Sequence, residues 1–326
     1  SRLYVRLPFL PAPDRRAPRL LFLQHRLWPE PQAVVQGDHT QPETHVVGLG
    51  EPVLGRLHRF LHTNGVNGRF QRFQHVGQLM DVSELQTVEH DVLVIGAGGA
   101  GLRAAIATAQ QGKSTALVSK SLLGKAHTVM AEGGCAAALG NVDSRDSWKV
   151  HFRDTMRGGK FLNQWRMAEL HARQAPERVR ELEEWGAVFD RTKDGLISQR
   201  NFGGHRYPRL AHVGDRTGLE MIRTLQDHGI HQGFDVYMEC KILALLKDGD
   251  RIAGAVGLWR ETGRFIVFKA TSVILATGGG GRAWRVTSNS WEYSGDGAAM
   301  AYEAGAELMD MEFTQFHPTG MIWPPS

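Results

Sequence analysis

The pattern of hydrophobic and polar positions becomes regular only from residue 90 onwards. DVLVIG at 91–96 is a short apolar run, GLRAAIATAQQG at 101–112 is rich in alanine and ends at a glycine, and STALVSK at 114–120 is a second apolar run. Short continuous apolar runs are typical of parallel strands buried on both faces, and a glycine commonly ends a helix. The pattern therefore predicts a strand, a helix and a second strand in succession.

The rest of the chain continues this alternation. Helical periodicity is found at 165–186, where Pro176 is expected to break the helix, and again at 216–229. Residues 251–279 predict two strands that are joined by a turn and run into glycines, and 295–308 predicts a helix entered through glycines. Strands and helices in this mixed order indicate an α/β fold.

Residues 1–79 differ from the remainder. They contain ten Arg, no Lys and five acidic residues, and only VLGRLHRFLH at 53–62 suggests a short helix. Three interpretations are open: a disordered extension, an organelle transit peptide, or translated sequence upstream of a start at Met80. The missing lysines suit a codon-biased upstream frame, whereas scattered prolines and the length disfavour a transit peptide. We favour the upstream frame.

Composition limits the possible functions. The 42% hydrophobic content supports a sizeable core, and residues 80–326 carry 28 basic and 29 acidic side chains, so no nucleic-acid surface is indicated. Cys135 and Cys240 are too few for a disulfide framework or a metal-ligand cluster. The apolar segment 92–109 resembles a membrane span, but its glycines and Arg103 argue against one.

The segment that follows the first predicted strand fits the G-x-G-x-x-G pattern, and its residues are Gly96, Ala97, Gly98, Gly99, Ala100 and Gly101. In this pattern the first glycine permits a tight turn, the second lets the backbone approach a pyrophosphate, and the last lets helix and strand pack closely. The helix N-terminus supplies free N–H groups for the phosphates. The sequence therefore predicts dinucleotide binding here.

The second strand helps to choose the dinucleotide. An NAD site usually has an acid about 20 residues after the glycines, but this strand ends at Ser119 and Lys120. Lys120 could contact a 2′-phosphate, or the site could bind a flavin through a different ribose contact. A second glycine run, which includes Gly278, and a carboxylate at Asp296 that can accept from ribitol hydroxyls both favour FAD.

From about residue 88 to 326 the chain resembles the flavoprotein subunit of succinate dehydrogenase and fumarate reductase, in a bacterial form. The resemblance rests on VIGAGGAGLRAA, HTVMAEGGCAAALGN, DTMRGGKFLN, RNFGGH, DRTG, ILATGGGG, GDG and MEFTQFHPTG. It implies a Rossmann-like FAD-binding domain at 80–312, incomplete at its C-terminal side, and the start of a capping domain at 313–326. Residues 1–79 would be an extension or mis-assigned sequence.

The resemblance also implies roles for single residues. His127 would bond covalently to the 8α carbon of FAD, which suits a neutral imidazole because it is a competent nucleophile. Thr128, Glu132, Gly133 and Gly134 would line the cofactor. Gly133 would also border the substrate pocket, and the further pocket residues would be Phe202 and His317. Outside such motifs, the same histidines would be ordinary loop residues.

The implied reaction is the interconversion of succinate and fumarate. Implied partners are a membrane anchor and an iron-sulfur subunit, at the cytoplasmic face of the bacterial inner membrane. The proton-transferring arginine is expected beyond residue 326, so this chain alone is expected to be inactive. An L-aspartate oxidase-like enzyme, which would lack an equivalent of His127, and a non-catalytic flavin-binding fragment are the alternatives.

Overall fold

A computed structural model describes residues 85–316 of the chain. The extension at 1–79, its suggested helix at 53–62 and His317 lie outside the described residues, as does the predicted capping segment after residue 316. The domain boundaries therefore remain predictions.

A six-stranded mixed sheet is the centre of the fold, with strand order β6-β2-β1-β9-β8-β7. Its strands are β1 (Gln86–Ile95), β2 (Thr115–Val118), β6 (Asp235–Tyr237), β7 (Cys240–Asp248), β8 (Arg251–Trp259) and β9 (Phe265–Leu275). A small antiparallel sheet consists of β3 (Cys135–Ala136), β4 (Gln199–Arg200) and β5 (Leu210–Ala211), in the order β3-β5-β4. The predicted α/β, Rossmann-like class is confirmed.

Strand β1 is buried because it lies between two parallel neighbours. Val94 pairs with Leu117 of β2 on one side and with Ile274 of β9 on the other. Val92 and Val94 pack with the helices, whereas Leu93 and Ile95 pack with side chains of β7 and β8 and the helix at 296–303. The continuous apolar run is thus explained, because both faces of the strand are covered.

The helices are α1 (Gly99–Gln110), α2 (Trp148–Gly158), α3 (Trp165–Glu184), α4 (Thr217–Ile230) and α5 (Asp296–Glu303). The apolar segment 92–109 is divided between β1, the glycine turn and α1, as predicted. Within the described part of the chain, none of the helices combines the length and the apolar character that a membrane span requires.

The predicted break at Pro176 is wrong. Helix α3 continues from Trp165 to Glu184 with Pro176 inside it. A proline removes one backbone hydrogen bond from the helix. Here the buried face of the same helix packs into the core on both sides of the proline, through Ala175 before it and Val179 after it. Tertiary packing therefore outweighs the lost bond.

Candidate functional site

The turn between β1 and α1 is built from backbone atoms in close contact. Gly96 has a φ of +111°, and a Cβ at this position would lie 2.3 Å from the carbonyl oxygen of Ala276. A Cβ at Gly101 would lie 1.7 Å from the carbonyl oxygen of Gly96. Neither position can hold a side chain, because backbone atoms fill the space. The glycine pattern therefore brings the turn against the carboxyl end of β9.

The N-terminus of α1 offers an anion site. Its first turn contains no acidic side chain, and Gly98 precedes it in extended conformation. The Gly99 N–H donates to Thr128 Oγ1 at 3.2 Å, and a Cβ at Gly98 would lie 3.3 Å from the same oxygen. Ala97 is buried and Ala100 is half-buried. Because unpaired N–H groups at a helix N-terminus attract anions, this end of α1 suits a pyrophosphate.

His127 begins a short 3₁₀ turn, His127–Met130, beside this site. Its Nδ1 accepts from the Ser290 N–H at 3.2 Å, and its ring centroid lies 4.5 Å from that of Tyr293. Burial lowers the pKa of His127 below its usual value of 6.5, so the imidazole is neutral at pH 7. A Cβ at Gly278 would lie 2.4 Å from the Tyr293 ring, which brings the second glycine run to the same place.

Lys120 and Asp296 are 176 residues apart and form an ion pair. Lys120 Nζ lies 3.2 Å from Asp296 Oδ2 and 2.6 Å from Ser294 Oγ. Burial, the largest single effect, would raise the pKa of Asp296, but the charges of Lys120 and Lys241 together with the hydrogen bonds of Ser294 and Lys120 lower it overall. Ser119 is buried at the end of β2. The structure therefore brings Ser119 and Lys120, at the end of β2, close to Asp296, at the start of α5.

The loop Glu132–Gly134 follows the His127 turn and lies beside the small sheet. Gly134 has a φ of +119°, and a Cβ there would lie 2.8 Å from the Ala211 carbonyl oxygen. Arg200 of β4 donates to the carbonyl oxygens of Glu132 and Gly133. Phe202, two residues further on, has a 60% exposed side chain. The sequence analysis did not identify Arg200, because nothing local marks its partner 67 residues away.

Several histidines that the sequence left unassigned lie together. The ring of His151 lies 5.3 Å from that of His171 and 6.2 Å from that of His205, next to fully buried Arg209. Arg209 donates to Asp146 and Asp154, at distances of 2.8–3.2 Å. No group of residues suited to hold a metal ion is present between residues 85 and 316. We interpret this cluster as structural.

The site fits FAD. Side-chain-free backbone at Gly96, Gly98 and Gly101 leaves the approach to the α1 N-terminus open for a pyrophosphate. Asp296 supplies a carboxylate that can accept from ribitol hydroxyls. Lys120 takes the position of the acid expected in an NAD site, and it is already paired with Asp296. These features lie where parallel strands end, which is where open α/β sheets bind ligands.

Residues 91–326 match the family model described as "FAD binding domain". The chain belongs to the FAD binding domain family. FAD is therefore its cofactor, as predicted from the glycine motifs. The strand order and the turn at Gly96–Gly101 of this FAD binding domain agree with that membership.

Individual relatives narrow the group further. A chain of the "Fumarate reductase (CoM/CoB)" of Methanothermobacter marburgensis is 48% identical over 244 residues, 74% of this chain and 45% of the relative. "Succinate dehydrogenase flavoprotein subunit" of Coxiella burnetii is 41% identical over 250 residues, covering 74% and 42%. The structure titled "Mycobacterium smegmatis Sdh1 complex in the apo form" is 62% identical, with a TM-score of 0.71, covering 74% and 43%. The predicted resemblance is confirmed, and the chain spans less than half the length of these relatives.

Proposed function

We propose that this FAD binding domain belongs to an enzyme subunit that interconverts succinate and fumarate. The relatives named fumarate reductase and succinate dehydrogenase support this substrate class. One observation carries the proposal. The short turn that begins at His127 contacts the α1 N-terminus through Thr128 and leads directly into the Glu132–Gly134 loop. A substrate bound to that loop would lie close to the cofactor, because only a short turn separates Thr128 from Glu132.

FAD, when bound, would supply the hydride chemistry: acceptance of a hydride from succinate or donation of one to fumarate. The Gly96–Gly101 turn and the α1 N-terminus hold the pyrophosphate, and Asp296 holds hydroxyl groups of the cofactor. Gly133, Phe202 and His317 border the dicarboxylate, where main-chain N–H groups and an imidazole donor suit a dianion. This chain therefore contributes alignment and carboxylate binding, and the test requires the full-length protein.

The first test measures the reaction directly. Full-length protein is assayed for succinate oxidation with an artificial electron acceptor and for fumarate reduction with a reduced dye. We expect both activities, and we expect residues 1–326 alone to have less than about a tenth of them, because this chain spans less than half the length of its relatives and hydride transfer needs a fully aligned substrate in a site closed to water. Oxidation of L-aspartate without succinate oxidation would reject the proposal in favour of an aspartate oxidase.

We also propose that His127 carries the flavin covalently through its 8α carbon. The lowered pKa of the half-buried imidazole supports this role, since only the neutral form is a nucleophile. After denaturing electrophoresis of the full-length holoprotein, the band should show flavin fluorescence. His127→Ser should abolish that fluorescence and most succinate oxidation, while FAD stays bound through the glycine turn and some fumarate reduction remains.

His231→Ser is the matched control, because His231 is exposed at the end of α4. This variant should keep full fluorescence in the denatured band. A dark band from the wild-type holoprotein would contradict the covalent link and leave FAD bound by non-covalent contacts alone.

The partners follow from the same proposal. The relatives include a solved structure titled as an Sdh1 complex and another titled "Quinol-Fumarate Reductase with Menaquinol Molecules", which support a quinone-linked membrane anchor and an iron-sulfur subunit. The flavoprotein would then be peripheral, at the cytoplasmic face of the membrane. Purification from solubilised membranes should yield the flavoprotein together with iron and labile sulfide; recovery without either would reject the assembly.

A further inference from the structure

Arg200 makes three contacts that converge on the loop after the His127 turn. Its Nε donates to the Gly133 carbonyl oxygen at 2.8 Å, its Nη2 donates to the Glu132 carbonyl oxygen at 2.5 Å, and its Nη1 lies 3.2 Å from Asp215 Oδ1. The Arg200 side chain is one-third exposed, whereas that of Asp215 is almost fully exposed. The contact to the Gly133 carbonyl oxygen is partly buried, whereas the contacts to Glu132 and Asp215 are exposed.

Peptide geometry makes these two carbonyl contacts informative. In a trans peptide the C=O and the following N–H point in opposite directions. The Glu132 and Gly133 carbonyls both point toward one guanidinium group, so the N–H groups of Gly133 and Gly134 both point away from it. In an extended strand successive carbonyls would alternate instead. Neither N–H has an acceptor within residues 85–316.

Two successive N–H groups directed to the same side form a concave site for an anion. A Cβ at Gly133 would meet no atom within 4 Å, so the approach to this peptide is open. The loop is fixed at its other end because the Gly218 N–H donates to the Ala131 carbonyl oxygen at 2.7 Å. The loop thus has a defined orientation before any ligand arrives.

We propose that Arg200 is a positioning residue that turns the Gly133 and Gly134 N–H groups toward one carboxylate of the substrate. The inference rests on the proposed dicarboxylate function and adds the residue that orients the loop. An arginine is required because its planar fork donates to two oxygens at once, which a lysine ammonium cannot do with the same geometry. Its positive charge, held behind the loop, also attracts a dianion.

The test compares Arg200→Lys with wild type in the full-length holoprotein. Lysine keeps the positive charge but lacks the planar guanidinium, so a change in binding reflects a change in the orientation of the loop. Titration with succinate, fumarate or malonate is followed through the flavin absorption spectrum. We expect the dissociation constants and KM to rise about tenfold to a hundredfold, as for a small misplacement of a binding group. Flavin content should change much less than dicarboxylate affinity, because Arg200 contacts the Glu132–Gly134 loop and no residue of the Gly96–Gly101 turn that holds the pyrophosphate.

A second readout does not depend on the substrate. Glu132 is exposed, so a glutamate-specific protease should cleave after it faster in Arg200→Lys than in wild type. Arg206→Lys is the matched control, because Arg206 is exposed six residues later and its guanidinium lies over the Tyr207 ring. This variant should leave both the cleavage rate and the dicarboxylate affinity unchanged.

The outcomes separate the two proposals. Unchanged cleavage after Glu132 in Arg200→Lys would overturn the positioning role, whatever the substrate. Faster cleavage with unchanged dicarboxylate affinity would overturn the link between loop orientation and substrate. If wild-type protein responds to none of the dicarboxylates, the proposed function fails, and with it the carboxylate assigned to this loop. Faster cleavage together with weaker dicarboxylate binding supports the proposal.

Discussion

The turn before α1 and the cluster around Arg209 are held together by opposite means. In the turn, backbone meets backbone: a Cβ at Gly101 would lie 1.7 Å from the Gly96 carbonyl oxygen. In the cluster, buried charges form an ion pair: the side chains of Arg209 and Asp146 are both fully buried, and Arg209 Nη2 lies 2.8 Å from Asp146 Oδ1. The turn at Gly96–Gly101 therefore depends on the absence of side chains, whereas the cluster around Arg209 depends on their charges.

The two regions are therefore destabilised by different kinds of substitution. An added methyl group breaks the turn, because backbone cannot move aside. A lost charge breaks the cluster, because the remaining partner is left buried without compensation. Each kind of change should be almost harmless in the region that does not depend on it.

Arg209→Met should have the largest effect. It leaves Asp146 buried without its partner, and breaking a buried ion pair in this way costs about 3–5 kcal/mol of unfolding free energy. Chemical denaturation of the full-length holoprotein measures the change. Arg145→Met is the control, since Arg145 is exposed and pairs with Asp143 at the surface, and it should leave the denaturation midpoint unchanged. Equal effects of the two variants would contradict the importance of burial.

Gly101→Ala should cause the second-largest loss of unfolding free energy and the largest loss of bound FAD. The added Cβ overlaps the Gly96 carbonyl, and overpacking of this kind costs about 1–3 kcal/mol. The displaced turn also closes the path to the α1 N-terminus, so we expect FAD content after purification to fall to background. Gly158→Ala is matched to it, because Gly158 is helical with open space around it. Retention of full FAD content by Gly101→Ala would contradict the steric account.

The third effect should appear only on acidification. Burial, helped by His171, Arg209 and His205, lowers the pKa of His151 from 6.5 to about 3. Below pH 6.5 the unfolded chain binds a proton that the folded chain does not, so stability is full above pH 6.5 and falls toward pH 3. One such group contributes a slope of at most about 1.4 kcal/mol per pH unit. Asp146 and Asp154 also face this cluster.

His151→Leu should flatten this slope between about pH 6.5 and pH 4. Comparison of the two proteins at about pH 8, where the imidazole is neutral in both states, isolates any change in packing. An unfolding free energy with the same pH slope in wild type and variant would show that another group controls acid stability.

The cofactor half of the fold could be predicted from sequence because its signals are local. The apolar run of β1, the turn from Gly96 to Gly101 and the helix after it are contiguous, and Gly96 and Gly101 each have a steric reason. The hairpin of β8 and β9 was predicted for the same reason. The second glycine run, which includes Gly278, was also predicted to lie at the cofactor site, because it follows a buried strand.

The remainder could not be predicted because its partners are distant in the chain. Arg209 pairs with Asp146 63 residues away, and Arg200 reaches Gly133 67 residues away. No periodicity marks such pairs. The Pro176 prediction failed for a related reason, since packing on both sides of the proline outweighed a local rule. The pairing of Lys120 with Asp296 also needed the structure, although both residues were identified.

The contacts of the His127 turn set an order of events during protein synthesis. Gly99 precedes Thr128 of this turn by 29 residues, whereas Ser290 follows His127 by 163. The growing polypeptide therefore completes the surroundings of the histidine only after the ribosome has translated at least as far as Ser290. Attachment of a flavin at His127 would then be a late step of biogenesis, and the cell could use it to distinguish finished subunits from incomplete ones.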